Sequence, residues 1–254
     1  MRIAVFSDIH GNPYACEAVL DALAADGEFD AIVFAGDLCF GGSDPARCVD
    51  LIRAADIQAV YGNTDEFITD LQPPPDEAHN TKWEKLEPDA RWTAAQLGAA
   101  RLDWLRTLPL DRRFSPTGDP SDDLLVVHAN PKDAHGVIAP PPQAQQKLFG
   151  AVKQPDDAPE LLALLEGVQA AVIAFGHFHY TSQREWRGLQ LVNVAPCSIA
   201  PYDHDRRARY TVFIWDGSAW QIERRYVEYD YSQEAAALHA SNMPNRAEWA
   251  KHFE

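Results

Sequence analysis

An α/β fold built on a parallel sheet is what the first third of this 254-residue sequence predicts. Three observations carry it. Apolar, β-branched runs recur at Ile3–Ser7, Ala31–Ala35 and Ile57–Tyr61, each is followed by a small or polar turn, and stretches of helical periodicity separate them. Strands that alternate with helices pair in parallel under a helical cover. Strands that are apolar throughout are the kind covered on both faces.

The first helix starts at Asn12-Pro13, an N-cap followed by the proline favoured at the first helical position, and carries Val19, Leu20 and Leu23 on one side. Ser43, Asp44 and Pro45 start the second in the same way. After Asp65 the texture changes. Pro73-Pro74-Pro75 precedes a helical region holding Trp83, Trp92, Leu97, Leu102, Trp104 and Leu105, read as a helical insertion over about 71–108. A strand returns at Leu124–Val127, followed by a proline-rich loop at Pro140-Pro141-Pro142, a helix at Pro159–Glu166 and a strand at Ala170–Phe175. Arg187-Gly188 and Asp216-Gly217 then sit between runs rich in Trp, Val, Tyr and Ile, the pattern of antiparallel hairpins. A short helix, Gln233–Ala240, closes the chain.

Hydrophobic residues at 46% and charged ones at 24% describe an ordinary globular protein. The 38 acidic against 22 basic residues leave a formal charge of −16, which repels phosphate at long range and argues against nucleic-acid and membrane partners. The amino-terminal run meets Asp8 too soon for a signal peptide, and no apolar run approaches the roughly 18 residues of a membrane span. A soluble protein of the cytoplasm is expected. Cys16, Cys39, Cys48 and Cys197 show no metal or disulfide spacing and are read as buried thiols.

The chemistry lies at the strand ends. Asp8 and His10 follow the first strand, Gly36-Asp37 the second, Gly62-Asn63 the third, His128 the strand at Leu124–Val127, and His177 with His179 the strand at Ala170–Phe175. Open α/β sheets place their sites just past the carboxyl ends of strands. Two-residue spacing turns Asp8 and His10 to one side of Ile9, and His177 and His179 to one side of Phe178. Two carboxylates, four imidazoles and one amide exceed a single tetrahedral zinc and suit two ions sharing a carboxylate. Asp37, central in the sheet order and flanked by glycine, is the candidate bridge. With no cysteine among the donors, Mn²⁺, Fe, Zn²⁺ and Ni²⁺ all fit, and Mn²⁺ is placed first.

The ordered series Asp8-Ile9-His10, Gly36-Asp37, Gly62-Asn63, His128 and Gly176-His177-Phe178-His179 resembles the calcineurin-like metallophosphoesterase superfamily. The opening Asp8–Asn12 segment is most similar to its small bacterial and archaeal phosphodiesterase branch, and the resemblance runs from Met1 to about Tyr210. It implies a four-layer α/β/β/α sandwich over a single domain, 1–254, and two divalent ions. One ion would take Asp8, His10, Asp37 and His179, the other Asp37, Asn63, His128 and His177. The implied reaction is hydrolysis of a phosphodiester or phosphoanhydride in a small-molecule substrate, by in-line attack of a hydroxide bridging the ions. Asp37, Asn63 and His128 are then catalytic as well as ligating, and the local cationic charge captures phosphate despite the global −16.

One position departs from the superfamily's pattern. Many members carry a histidine directly after the Gly-Asn pair, where this chain has Thr64 and then Asp65. A hydroxyl is too weak an acid to serve, and nearby cations should keep Asp65 ionised. Efficient substrates are therefore expected to have good leaving groups, unless another residue, His204 first, supplies the proton. In the run Tyr202–Tyr210, Arg206, Arg207 and Arg209 are candidate phosphate clamps, against a plainer reading as a solvated loop with internal ion pairs. His79, His135, His239 and His252 are read as structural, Asn12 as an N-cap, Trp83, Trp92 and Trp104 as core, and Asp44, Asp50, Asp122 and Asp123 as caps and surface. A phosphomonoesterase, a phosphoprotein phosphatase or a non-catalytic scaffold of the same fold is the alternative. Specificity is expected in the insertion and the loops after His128, and exposed edges of the carboxy-terminal strands leave room for self-association.

Overall fold

The computed structural model of the chain describes residues 1–71, 77–203 and 205–254, with 77–83 described as backbone alone. Its strands form two five-stranded mixed sheets. The first runs, in spatial order, Trp220–Val227 (β10), Ala208–Trp215 (β9), Arg2–Phe6 (β1), Ala31–Ala35 (β2) and Gln58–Val60 (β3). The second runs Asp111–Phe114 (β4), Leu124–Val127 (β5), Val172–Phe175 (β6), Leu189–Asn193 (β8) and Ser182–Trp186 (β7). β1, β2 and β3 pair in parallel, as do β5, β6 and β8, while β9 and β10 in the first sheet and β4 and β7 in the second join antiparallel.

The apolar strands are explained by what covers them. Ile3, Val5, Val33, Ala35 and Phe213 of the first sheet meet Leu124, Val126, Val172, Ala174 and Val192 of the second in one layer between the sheets. The alternate residues Ala4, Phe6 and Phe34 turn outward, against the helices Pro13–Ala25 (α1), Pro45–Ala54 (α2) and Glu77–Arg106 (α4). Leu125, Val127, Ile173 and Phe175 face the helix Pro159–Leu165 (α6) on the other side. This is the expected four-layer sandwich, and each period-2 strand is buried twice because both of its faces are interior.

Local signals set the helix starts. The Asn12 side chain accepts from Ala15 N (3.1 Å) and that of Asp44 from Arg47 N (3.0 Å), each just ahead of a proline. Arg187 and Gly188 take φ values of 50° and 87°, the paired left-handed geometry that a two-residue hairpin turn requires.

Several elements differ from the expected ones. Asn63–Asp70 (α3) is a helix directly after β3, and Pro142–Phe149 (α5) is a helix where the prolines suggested a loop, with Pro142 in its first turn. Asp111–Phe114 adds a strand whose charged sequence hides it, and Arg246–Ala250 (α8) follows Tyr231–Ala240 (α7). The insertion is helical from Glu77, broken at Gly98 (φ 68°), and its buried Leu97 and Leu105 cover the outer side of the first sheet. Residues 72–76, with the Pro73–Pro75 run, and the side chains of His79 and Trp83 lie outside the described residues. Asp123 is buried and ion-paired with Arg113 (2.7 Å), so it is not surface. All four cysteines are free and buried. Among the described residues no helix is long and apolar enough to cross a membrane.

Glu234 on α7 ties the carboxy-terminal helices to the loop before α2, accepting from Ser43 N (2.7 Å) and Ser43 Oγ (2.6 Å). Burial pushes its carboxyl up from 4.5 to about 7. The folded state thus keeps this proton to higher pH than the unfolded chain, and stability is lost as pH rises between these two values. Glu234→Gln removes that dependence. Relative to the parent, its unfolding free energy should rise between pH 5 and pH 8 by up to about 3 kcal/mol, read from thermal or urea unfolding. A difference independent of pH would clear Glu234 of this role.

Candidate metal centre

All seven strand-end side chains named from the sequence converge where the carboxyl ends of both sheets meet. The loop after β1 brings Asp8 and His10, β2 brings Asp37, α3 opens with Asn63, β5 ends at His128, and the turn after β6 brings His177 and His179. Asp8, His10, Asp37 and His177 take φ values of 58°, 52°, 62° and 63°, a left-handed backbone that non-glycine residues adopt at some cost. Hydrogen bonds hold them there. Asp8 N donates to Gly36 O and His10 N to Asp37 O (3.0 Å each), while His177 N donates to both oxygens of Asp8 (3.2 Å).

Two groups of donors share one carboxylate. Asp8 Oδ1 lies 3.2 Å from His179 Nε2 and 3.8 Å from His10 Nε2. Asn63 Oδ1 lies 3.0 Å from His128 Nε2 and 2.9 Å from His177 Nδ1. Between the groups stands Asp37, with Oδ2 3.7 Å from His10 Nε2 and Oδ1 3.4 Å from His128 Nε2. Each of its oxygens addresses one group.

The imidazole hydrogen bonds test whether cations fit. His10 Nδ1 meets Phe40 O (2.9 Å), His128 Nδ1 meets Ala35 O (2.9 Å) and His179 Nδ1 meets Ile199 O (2.8 Å). A carbonyl only accepts, so each ring carries its proton on Nδ1 and turns a bare Nε2 inward. His10 Nε2 and His179 Nε2 are nevertheless 3.0 Å apart, and His128 Nε2 faces the Asn63 oxygen. Lone pairs at that distance repel unless a proton or a metal cation lies between them. Asp8, His10 and His179, and again Asp8, Asp37 and His128, offer ligand atoms close enough for one ion.

Electrostatics keep Asp8, His10 and His177 in their ligating forms. Burial works to raise Asp8, but His179, His128 and His10 around it hold its carboxyl well below the usual carboxylate range. Burial and the neighbouring His128 lower His177 to about 4, and burial with His179 lowers His10, so both are neutral at pH 7. Burial opposes protonation of His179, but the Asp8 carboxylate outweighs it and raises the ring.

Residues outside the expected set position the ligands. The Asp65 carboxylate accepts from Asp37 N, Leu38 N and Gly62 N (3.0 Å each), clamping the loop after β2 to the start of α3. Burial and Asp37 push it up to about 7, against the pull of those N–H groups, and it points at backbone instead of into the cluster. Asn193, the last residue of β8, donates to Gly176 O (2.9 Å) and Phe178 O (2.8 Å) and so fixes the turn bearing His177 and His179. It ends a strand as the ligands follow theirs, and the same positional rule could have found it. Asn12 caps α1 and also donates to Ser198 Oγ (3.1 Å).

The predicted clamps are placed differently. Arg209 is buried, bridging Asp203 (2.8 Å), Thr181 Oγ1 (2.9 Å) and Asp205 O (2.6 Å), so it joins the loop after His179 to the loop before β9. Arg207 forks onto Asp205 (3.0 and 2.7 Å), and Arg206 donates to the main-chain oxygen of Glu254 and lies over Tyr231. Arg206 and Arg207 line a groove of about 750 Å³ with Tyr229, Tyr231, Lys251 and His252, beside the Ile199 segment that holds His179. His204 lies outside the described residues.

A fold of two mixed sheets with such a cluster at their carboxyl ends defines a metallophosphoesterase-like protein. A family model described as calcineurin-like phosphoesterase matches residues 1–181, and the chain belongs to that family. An uncharacterized protein of Methanocaldococcus jannaschii is 26% identical over 261 residues, covering 97% of this chain and 94% of its own. A crystal structure described as a metallophosphoesterase from Sphaerobacter thermophilus is 22% identical, superposes with a TM-score of 0.69, and covers 100% of this chain and 98% of that one. The structure of a hypothetical protein from Pyrococcus horikoshii is 18% identical, with a TM-score of 0.76 over 99% and 97% of the two chains. These likenesses bear on the fold.

Proposed function

We propose that the chain is a metal-dependent phosphodiesterase whose two divalent ions are held by Asp8, His10, Asp37 and His179 on one side and by Asp37, Asn63, His128 and His177 on the other. The observation that carries this is Asp37, one oxygen toward each donor group, with imidazole nitrogens turned inward on both sides of it. When bound, such ions supply Lewis acidity toward phosphoryl oxygens and an activated water. Mn²⁺ is the first candidate for an oxygen- and nitrogen-rich set. The chain's part is to hold seven donors together, with Asp8 kept ionised and His10 and His177 kept neutral. Residues 1–254 act as one unit, since both sheets contribute donors to one cluster, and a small phosphoester in the cytoplasm is the intended substrate.

The preference for diesters and anhydrides rests on the missing acid. Thr64 Oγ1 is buried without a hydrogen-bond partner, Thr64 N is spent on Asp37 Oδ1 (2.9 Å), and Asp65 is spent on backbone. Among the described residues, neither Thr64 nor Asp65 offers a proton to a leaving alkoxide, which favours leaving groups that depart as anions. Bis-p-nitrophenyl phosphate is expected to be hydrolysed in the presence of Mn²⁺ at least about tenfold faster than p-nitrophenyl phosphate if the chain is a diesterase, and the missing acid is expected to show separately as a steep fall in kcat across a series of diesters as leaving-group pKa rises. Faster turnover of the monoester would favour a phosphatase. No turnover with Mn²⁺, Fe²⁺, Zn²⁺ or Ni²⁺ would favour a scaffold.

A further inference from the structure

Phe178 stands in sequence between two of the candidate ligands, His177 and His179, and its ring does not enter the core. It stacks on Tyr202, with centroids 4.9 Å apart and planes 15° from parallel. Phe149, the last residue of α5, meets both edge-on, at 6.0 Å from Phe178 and 6.4 Å from Tyr202. Phe149 and Tyr202 are each 39% exposed and Phe178 is half-buried, so three rings from three separate segments form a partly exposed group on the loop that carries His177 and His179. The rings cover one another only in part, which leaves aromatic surface open for a planar partner.

The platform is also braced. Asn193 holds Phe178 O, Thr181 Oγ1 donates to Ala195 O (2.7 Å), and Arg209 ties Thr181 to Asp203, one residue past Tyr202. The two loops bearing the stacked rings are thus fixed to each other by a buried arginine. A rigid, solvent-facing pair of parallel rings offers a π-face to a planar group and needs little reordering to receive one. Arg206 and Arg207, four and five residues beyond Tyr202, add cationic charge on the same loop.

We infer that the Phe149–Phe178–Tyr202 platform receives the base of a nucleoside phosphate whose phosphate lies at the metal centre. Ribose separates phosphorus from base in such a molecule, so a phosphate among the donors brings its base to the rim, where Phe178 is one residue from a ligand on either side. Stacking tolerates any base, because each presents a π-face, and the platform selects for nucleosides over alkyl esters without reading sequence. The net charge of −16 opposes a polynucleotide track but not a single nucleotide held at both ends.

The inference rests on the phosphoester reading only for the phosphate end, and binding separates the two. Adenosine 5′-monophosphate and ribose 5-phosphate differ only in the base. With metal-loaded protein, the nucleotide should bind about tenfold more tightly by calorimetry, or show that ratio in KM if either is turned over. Tyr202→Ala and Phe149→Ala should each erode the preference while leaving ribose 5-phosphate unchanged, and Tyr202→Trp should restore it. Equal affinity for the two ligands in the parent, or a preference that survives Tyr202→Ala, would overturn the inference. So would an oligomer that Tyr202→Ala dissolves with the preference intact, since the rings would then seat a second copy of the chain. A base preference without any metal-dependent turnover of bis-p-nitrophenyl phosphate would sink the enzymatic reading and leave the platform standing.

Discussion

Asp37→Ala is expected to lose metal-dependent hydrolysis of bis-p-nitrophenyl phosphate by at least about three orders of magnitude in kcat, since several kcal/mol of charge stabilisation depends on both ions. The expectation follows from position. Asp37 turns one oxygen toward each donor group, so on the proposed ligand set its loss removes a ligand from each at once. It also carries the backbone strain of a left-handed residue, which alanine must bear without the Thr64 N–H bond to Oδ1. Metal content measured beside activity separates the causes. A variant that keeps two ions per chain and loses activity would make Asp37 something other than a bridge, and one that keeps activity would end the account of the site.

Asp65→Ala is expected to lower stability by about 3–5 kcal/mol and the melting temperature by about 10 °C, as three buried N–H groups each lose an acceptor. The carboxylate sits under the loop that carries Asp37 and under the first turn of α3 that carries Asn63. Metal affinity should fall with stability, because the shared ligand and Asn63 lose their common support. Asp65→Asn keeps the shape but turns an amide N–H toward at least one of those donors, and should lie between. A melting temperature within about 2 °C of the parent for Asp65→Ala would show that water or rearranged backbone replaces the clamp.

Much of the site was legible because its geometry is periodic. A strand end is visible where an apolar run stops, and polar residues two apart beyond it share a side, which placed Asp8, His10, Asp37, Asn63, His128, His177 and His179 together from the sequence. The supporting residues were less legible for a physical reason. Asp65 acts through backbone N–H groups of a segment distant in sequence, and nothing in its own neighbourhood encodes that partner, whereas Asn193 stands at a strand end that the positional rule covers. The arginines were legible as charge and not as role, since Arg209 is drawn inward by Asp203 and Thr181, contacts that only the packed loops create. Phe178 read as a spacer between two histidines, and the stack with Tyr202 depends on loops that bear no periodic signal. In the fold, β4 escaped because Asp111-Arg112-Arg113-Phe114 is an edge strand with one exposed face, where apolar patterning is not required. α5 escaped because its prolines, which break helices from within, here lie at and before the first turn.

The most direct test of the central claim is anomalous scattering from crystals grown with saturating Mn²⁺. The account predicts two peaks, one on each side of the Asp37 carboxylate, the first touched by Asp8, His10 and His179 and the second by Asn63, His128 and His177. A single peak, or none between these side chains, would contradict it.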